Sequence, residues 1–256
     1  MTIRHYLSLY KENTMSLSDW TIYSDGGTAG GGNPQGIVFS DIITPIDGAS
    51  SLVMTHTPSN EFQSINLVPS TLPTGVVAGR MRTIIRIDDL DDPSMQENHF
   101  GILSMMNTEN MSEFGTSNRA YGLSVSLGEG FTPQSIRLWK FTSGLDGGSG
   151  SINLSQVIVS VASPFTLITG SIITLEFEWR TEPEVISQMG GALLIGRVGQ
   201  TTNFNDLQTV ITQIDTSSPY ITTVSESIFS CFKNSMSSGD NKVTFDRTAL
   251  DRIILN

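Results

Sequence analysis

The chain has 256 residues, 38% of them hydrophobic, with 12 Phe and 3 Trp, enough for one sizeable core. Charged residues make up only 15%, 25 acidic against 14 basic, for a net charge of −11. The nearest thing to a basic stripe is Arg80, Arg82 and Arg86, too few cations for a phosphate backbone. No run approaches the ~18 apolar residues of a membrane span, so neither nucleic acid nor membrane is an expected partner.

Residues 1–18 are read as an N-terminal arm, with a short first strand or a loosely docked tail as alternatives, and 19–256 as a single β-sandwich domain. In the arm Ile3, Tyr6, Leu7 and Tyr10 have a loosely helical spacing and are the candidate assembly contacts with a neighbouring subunit. The segment Met1–Tyr10 lacks the apolar centre and small-residue cleavage site of a signal peptide. The expectation is a soluble protein made in the cytosol. The domain opens at Leu17–Tyr23. Gly26, Gly27, Gly30, Gly31 and Gly32 follow, but the next element is a strand at Gly36–Phe39, whereas a phosphate-binding loop needs a helix there.

Further strands are predicted at Ser51–Thr55, Val76–Ile87, Phe100–Met105, Ala120–Leu127, Ser135–Phe141 and Gln156–Val161, then at Ser171–Trp179, Ala192–Val198 and Val243–Phe245. Turn formers bound most of them, as at Pro45–Gly48, Pro73–Gly75 and Ser143–Gly150. Helix is expected only in short pieces, at Asn205–Gln213 and Arg247–Ile253. The clearest strand is Ile172–Arg180. Ile173, Leu175, Phe177 and Trp179 alternate with Thr174, Glu176, Glu178 and Arg180, the pattern of a strand with one buried face. The polar face is expected to be solvated, and Pro183 to end the strand.

The side chains that could carry chemistry are few. Cys231 has no disulfide partner in the chain and lies in the apolar run Ile228–Phe232, so a buried structural thiol is favoured over a nucleophile. His5, His56 and His99 lack zinc-ligand spacing, and no nucleophile elbow is present. Asp88, Asp89, Asp91 and Asp92 form an acidic knot that is the candidate calcium site, with a plain exposed turn as the alternative. Trp139 and Trp20 are the candidate glycan-stacking rings, with core packing as the commoner fate of a strand Trp. Met105, Met106 and Met111 are candidate apolar loop residues for docking on neighbours.

The succession Ser18–Ile22, Gly48–Met54, Tyr121–Leu127, Ile136–Gly144 and Leu175–Arg180 resembles concanavalin A-like (laminin-G-like) jelly-roll sandwiches. The likeness covers about residues 18–200 and includes Ile136-x-Leu138-x-Lys140 and Leu175-x-Phe177-x-Trp179. It implies two antiparallel sheets packed face to face, one concave, with function in the groove or in loops at its rim. Glycosidases of this family carry Glu-x-Asp-x-Glu on one strand. Here Glu176 and Glu178 hold the first two places, but Arg180, or Thr181 in the longer form, holds the third, so no catalytic residue is assigned.

One fold hosts lectins, enzymes and bacteriophage structural domains. With few charges, many Ser, Thr, Asn and Gly, and no disulfide framework, the leading expectation is a non-enzymatic virion component. It would decorate a bacteriophage capsid or tail as a homo-oligomer or bind other virion proteins. The alternative is a carbohydrate-binding module of an adhesin or tail fibre recognising a cell-surface glycan. A polysaccharide-cleaving enzyme is the second alternative.

Overall fold

The computed structural model describes residues 4–11, 17–25, 37–42, 46–47, 51–56, 62–70, 76–89, 97–112, 117–127, 134–145, 152, 154–233 and 241–255. Among these the chain forms strands β1 (Arg4–Lys11), β2 (Trp20–Asp25), β3 (Ile37–Ile42), β4 (Ser51–His56), β5 (Phe62–Pro69), β6 (Ala78–Asp89), β7 (Glu97–Met106) and β8 (Ala120–Ser126). Then come β9 (Ser135–Phe141), β10 (Val157–Ala162), β11 (Ile172–Arg180), helix α1 (Pro183–Met189), β12 (Ala192–Gly199), β13 (Gln208–Asp215), β14 (Ser225–Lys233) and β15 (Asn241–Leu255).

They build two antiparallel sheets. The first runs β13-β12-β11-β6-β15-β4-β3, and the second β10-β9-β8-β7-β14-β5-β2. The long β15 pairs with β6 along one side, while β4 takes its first half and β1 its second half on the other. Period-two alternation puts Leu175, Phe177 and Trp179 of β11, Met81 and Ile85 of β6, and Phe245 and Leu250 of β15 on the inner face of the first sheet. Phe100, Tyr121, Leu123, Leu138 and Ile228 meet them from the second, and together they form the main core. Each fully buried side chain of this size contributes roughly 1.5–3 kcal/mol.

The outer faces are covered as well. On the second sheet Leu103, Trp139, Phe141, Phe229 and Cys231 form a separate core with Met106, Met111, Leu145 and Ile152 from the connecting segments. Met105, Met106 and Met111 are all fully buried, so they are packing residues and not the docking loop expected from sequence. Cys231 is a buried thiol, as expected. On the first sheet, α1 lays Val185 over Leu193 and Ile195. Pro183 starts this helix where its missing N–H costs nothing, and Gly190, at φ 75°, ends it in the left-handed region.

Both predicted helices are strands. Gln208–Gln213 lies in β13, where Thr209, Val210, Ile211 and Thr212 form a β-branched run at the sheet edge. Arg247–Ile253 lies in β15, where a register shift between Asp246 and Ala249 marks a β-bulge. The extra residue breaks the two-residue period, so Phe245 and Leu250, an odd number of residues apart, both face the main core. Residues 4–11, loosely helical by spacing, are a strand paired with this chain's own β15.

Candidate functional site

The polar face of β11 is not solvated. Glu176 is 3% exposed and Glu178 and Thr174 are fully buried. The reason lies in register: Glu176 stands beside Arg82 on β6 and Arg197 on β12, and Glu178 beside Arg80. Opposite charges directly across a ladder attract. Arg197 Nη2 donates to Glu178 Oε2 at 2.9 Å, and its Nη1 donates to Glu176. Burial works against the Arg197 charge, but the two carboxylates outweigh it and hold the guanidinium pKa above its usual value. These glutamates are therefore counter-ions in an ion network and not an acid–base pair. Arg180, at the third motif place, donates through Nε to Glu182 at 2.8 Å.

Asp251 of β15 extends this network. Its Oδ2 accepts from Arg80 Nε and Arg82 Nη2, each at 2.7 Å. Arg80 Nη1 is also 3.6 Å from Glu176, and Arg82 Nε is 4.0 Å from it, an ion-pair distance too long for a hydrogen bond. Arg82 Nε is buried and has no hydrogen-bond partner among the described residues. Burial and then the neighbouring Arg80 draw the Arg82 pKa down, against the pull of Asp251 and Glu176. A guanidinium nonetheless stays charged at any physiological pH.

Above this network lies an open cavity of about 370 Å³ on the outer face of the first sheet. Its floor is Arg80, Arg82 and Asp251. Its walls are Tyr6 of β1, Phe204 of the β12–β13 loop, and Arg247. The Tyr6 ring stacks on the Arg80 guanidinium at 3.6 Å, and the Phe204 ring faces Arg82 at 4.8 Å and Arg247 at 5.4 Å. Asn203 and Asn205 add amide donors and acceptors at the rim. Arg247 sits in the β15 bulge with φ 43°, a left-handed conformation seldom adopted by a side chain other than Gly, Asn or Asp. The bulge turns it toward Phe204, and it also pairs with Asp47. A second cavity of about 460 Å³, rich in hydroxyls from Thr166, Thr169, Ser171 and Thr201, lies on the other side of the same loop and shares Thr202 with the first.

The residues singled out from sequence fall elsewhere, with one exception. Tyr6, expected to contact a neighbouring subunit, stands in the cavity wall, and Leu7 is half exposed. Ile3 and the Tyr10 side chain lie outside the described residues. Trp139 is fully buried, stacks on Phe141 at 5.2 Å and donates from Nε1 to Ser124 Oγ at 2.8 Å. Trp20 is 5% exposed in the main core. Burial leaves neither ring a face for a sugar, which corrects both as stacking candidates. Asp88 accepts from Arg86 Nε and Thr244 Oγ1, so both its oxygens are engaged and a guanidinium stands where a cation would be repelled. It does not fit a calcium ligand. The Asp89 side chain, Asp91 and Asp92 lie outside the described residues, and among those described no three His, Cys, Asp or Glu are grouped to hold a metal.

Arg80, Arg82, Phe204, Arg247 and Asp251 were missed in the sequence. The usable signal was Arg80-x-Arg82 facing Glu176-x-Glu178, two alternating strands of opposite charge that match in register.

No family model and no curated protein matches this chain. Solved structures match its fold. The exoplasmic/lumenal domain of VIP36 in its Ca2+/Man2-bound form has a TM-score of 0.54 at 9% identity, covering 98% of this chain and 88% of that one. The Ca2+/Man3GlcNAc-bound form of the same domain gives 0.52 at 10% identity, over 98% and 92%. The cellulose induced protein Cip1 gives 0.52 at 16% identity, over 94% and 96%. The chain thus has the lectin-like, concanavalin A-like jelly-roll fold, two antiparallel sheets packed as a sandwich.

Proposed function

We propose that this protein is a carbohydrate-binding module whose site is the cavity lined by Tyr6, Arg80, Arg82, Phe204, Arg247 and Asp251. The observation that carries the reading is the combination, in one open cavity, of two aromatic rings with guanidinium, amide and carboxylate groups. Sugars present apolar C–H faces and rows of hydroxyls, so they are held by ring faces and by planar hydrogen-bonding groups fixed in place. The fold supports it, since the VIP36 domain that shares it is named as bound to mannose oligosaccharides. The virion-decoration reading, with its host-cell and particle location, rests on the jelly-roll resemblance, the composition and the lack of a signal peptide, disulfide framework or catalytic motif in the sequence, and is the weaker of the two. Calcium is named with those VIP36 structures; in this chain Asp88 is engaged by Arg86 and Thr244, and Asp91 and Asp92 lie outside the described residues.

The test is a glycan array followed by calorimetry on the hits, with Phe204→Ala beside the wild type. Binding that weakens at least about tenfold in the variant, with an unchanged melting temperature, is the expected result. A wild-type array without a single hit would overturn the proposal.

A further inference from the structure

Resting on that reading, we infer that the ligand is an acidic glycan, whose sugar carboxylate is held by Arg80, Arg82 and Arg247. The cavity presents three guanidiniums and one carboxylate, Asp251, in a chain whose net charge is −11. The layering matters more than the count. The carboxylates beneath are almost closed off, with side-chain exposures of 5% for Glu176, 0% for Glu178 and 6% for Asp251. The guanidiniums above them reach 21% for Arg80, 14% for Arg82 and 27% for Arg247. A ligand entering from solvent therefore meets Arg80 and Arg82 before those carboxylates, and meets Arg247 beside its partner Asp47, which is 42% exposed.

The Arg80 and Arg82 guanidiniums stand side by side over Asp251, and an arriving carboxylate can bridge their exposed edges in the planar geometry guanidinium groups favour. A further observation points the same way. Arg247 is held at φ 43° inside a bulge of the central β15, and such strain tends to sit where function needs a side chain re-aimed. Tyr6 and Phe204 flank the guanidiniums, so the sugar ring that carries the acid has an apolar face to lie against.

The experiment is calorimetry with trisaccharides of galacturonate, glucuronate, mannuronate and guluronate and with a sialylated trisaccharide, each beside its carboxyl-reduced neutral counterpart. At least one acidic probe binds, its reduced form binds roughly tenfold or more weakly, and raising the salt from 0.05 to 0.5 M weakens the acidic probe severalfold. Arg82→Gln weakens acid binding by at least about tenfold. Because Arg82 also neutralises buried Asp251, the companion variant is Arg247→Gly, since glycine accepts the left-handed conformation without strain. It keeps the fold and lowers acid affinity by a similar factor, and lowers the affinity of the reduced counterpart by less. Equal binding of acidic and reduced probes overturns this inference and leaves the glycan reading standing. Binding of neither kind, with no hit on the array, overturns both.

Discussion

Arg197→Met removes the cation that Glu176 and Glu178 share. At the 2.9 Å separation of Arg197 Nη2 from Glu178 Oε2, two unit charges attract by roughly 6 kcal/mol at an effective dielectric of about 20. In the intact protein most of that attraction offsets the cost of taking the charged groups out of water, so the network adds little net stability. The variant is different in kind. Glu178 is fully buried and Glu176 only 3% exposed, so both carboxylates stay desolvated while the cation they share is gone, and Glu176 keeps only the longer ion pairs with Arg80 and Arg82. The expected loss is about 3–5 kcal/mol. Adding Glu178→Gln removes one of the stranded charges and restores about 1–3 kcal/mol, a coupling that independent sites do not show. Urea unfolding at pH 7, followed by far-UV circular dichroism on the wild type, both single variants and the double variant, gives the four values. An Arg197→Met cost below about 1 kcal/mol, with additive effects in the double variant, would refute the reasoning. It would mean that these glutamates face water, as the alternation of β11 alone suggests.

Acid unfolding offers a second check through His99, which is fully buried, lies edge-on to Trp139 at 5.2 Å, and has no partner on either ring nitrogen among the described residues. Burial, and then the charge of Arg137, push its pKa down to about 3. The folded state holds it neutral, so its contribution is complete above pH ~6.5 and is lost as pH falls toward 3; about 2 kcal/mol is gone by pH 5. His99→Phe flattens that part of the pH profile, and an unchanged profile in the variant counts against the assignment. Gly101→Ala places a methyl group 2.0 Å from Leu123 O and 2.8 Å from Ser124 Cα, both in the backbone of β8. The pairing of β7 with β8 must open, and a destabilisation of about 3 kcal/mol or more is expected in the same urea assay. Trp139→Ala costs about 3–5 kcal/mol by emptying a packed core, whereas Phe204→Ala at the cavity wall changes stability by about 1 kcal/mol or less and acts on binding; reversed outcomes would move the site. Arg247→Gly relieves a left-handed residue by about 1 kcal/mol and gives up an ion pair with half-exposed Asp47 worth no more than that, so its unfolding midpoint stays near the wild-type value.

The sequence by itself determined the fold class and most of the strands. Ile172–Arg180 alternates cleanly, and Ser135–Phe141 could be placed to the residue, because a period of two is a local property of the chain. Where both faces of a strand are buried the period disappears: β5 and β14 in the middle of the second sheet carry apolar and small residues on both sides, and neither stood out. The bulge in β15 hid that strand for a related reason, since one inserted residue shifts every side chain after it to the other face. The functional face was hidden more completely. Alternation says that Glu176 and Glu178 share a face, but not whether that face meets water, and only the register that sets Arg80, Arg82 and Arg197 beside them settled it. Tyr6, Arg80, Phe204, Arg247 and Asp251 come from separate parts of the chain, and no local pattern links them. They meet because β1 and β6 flank β15 on opposite sides, a matter of strand order, which depends on the free energy of the whole sandwich and not on any one segment.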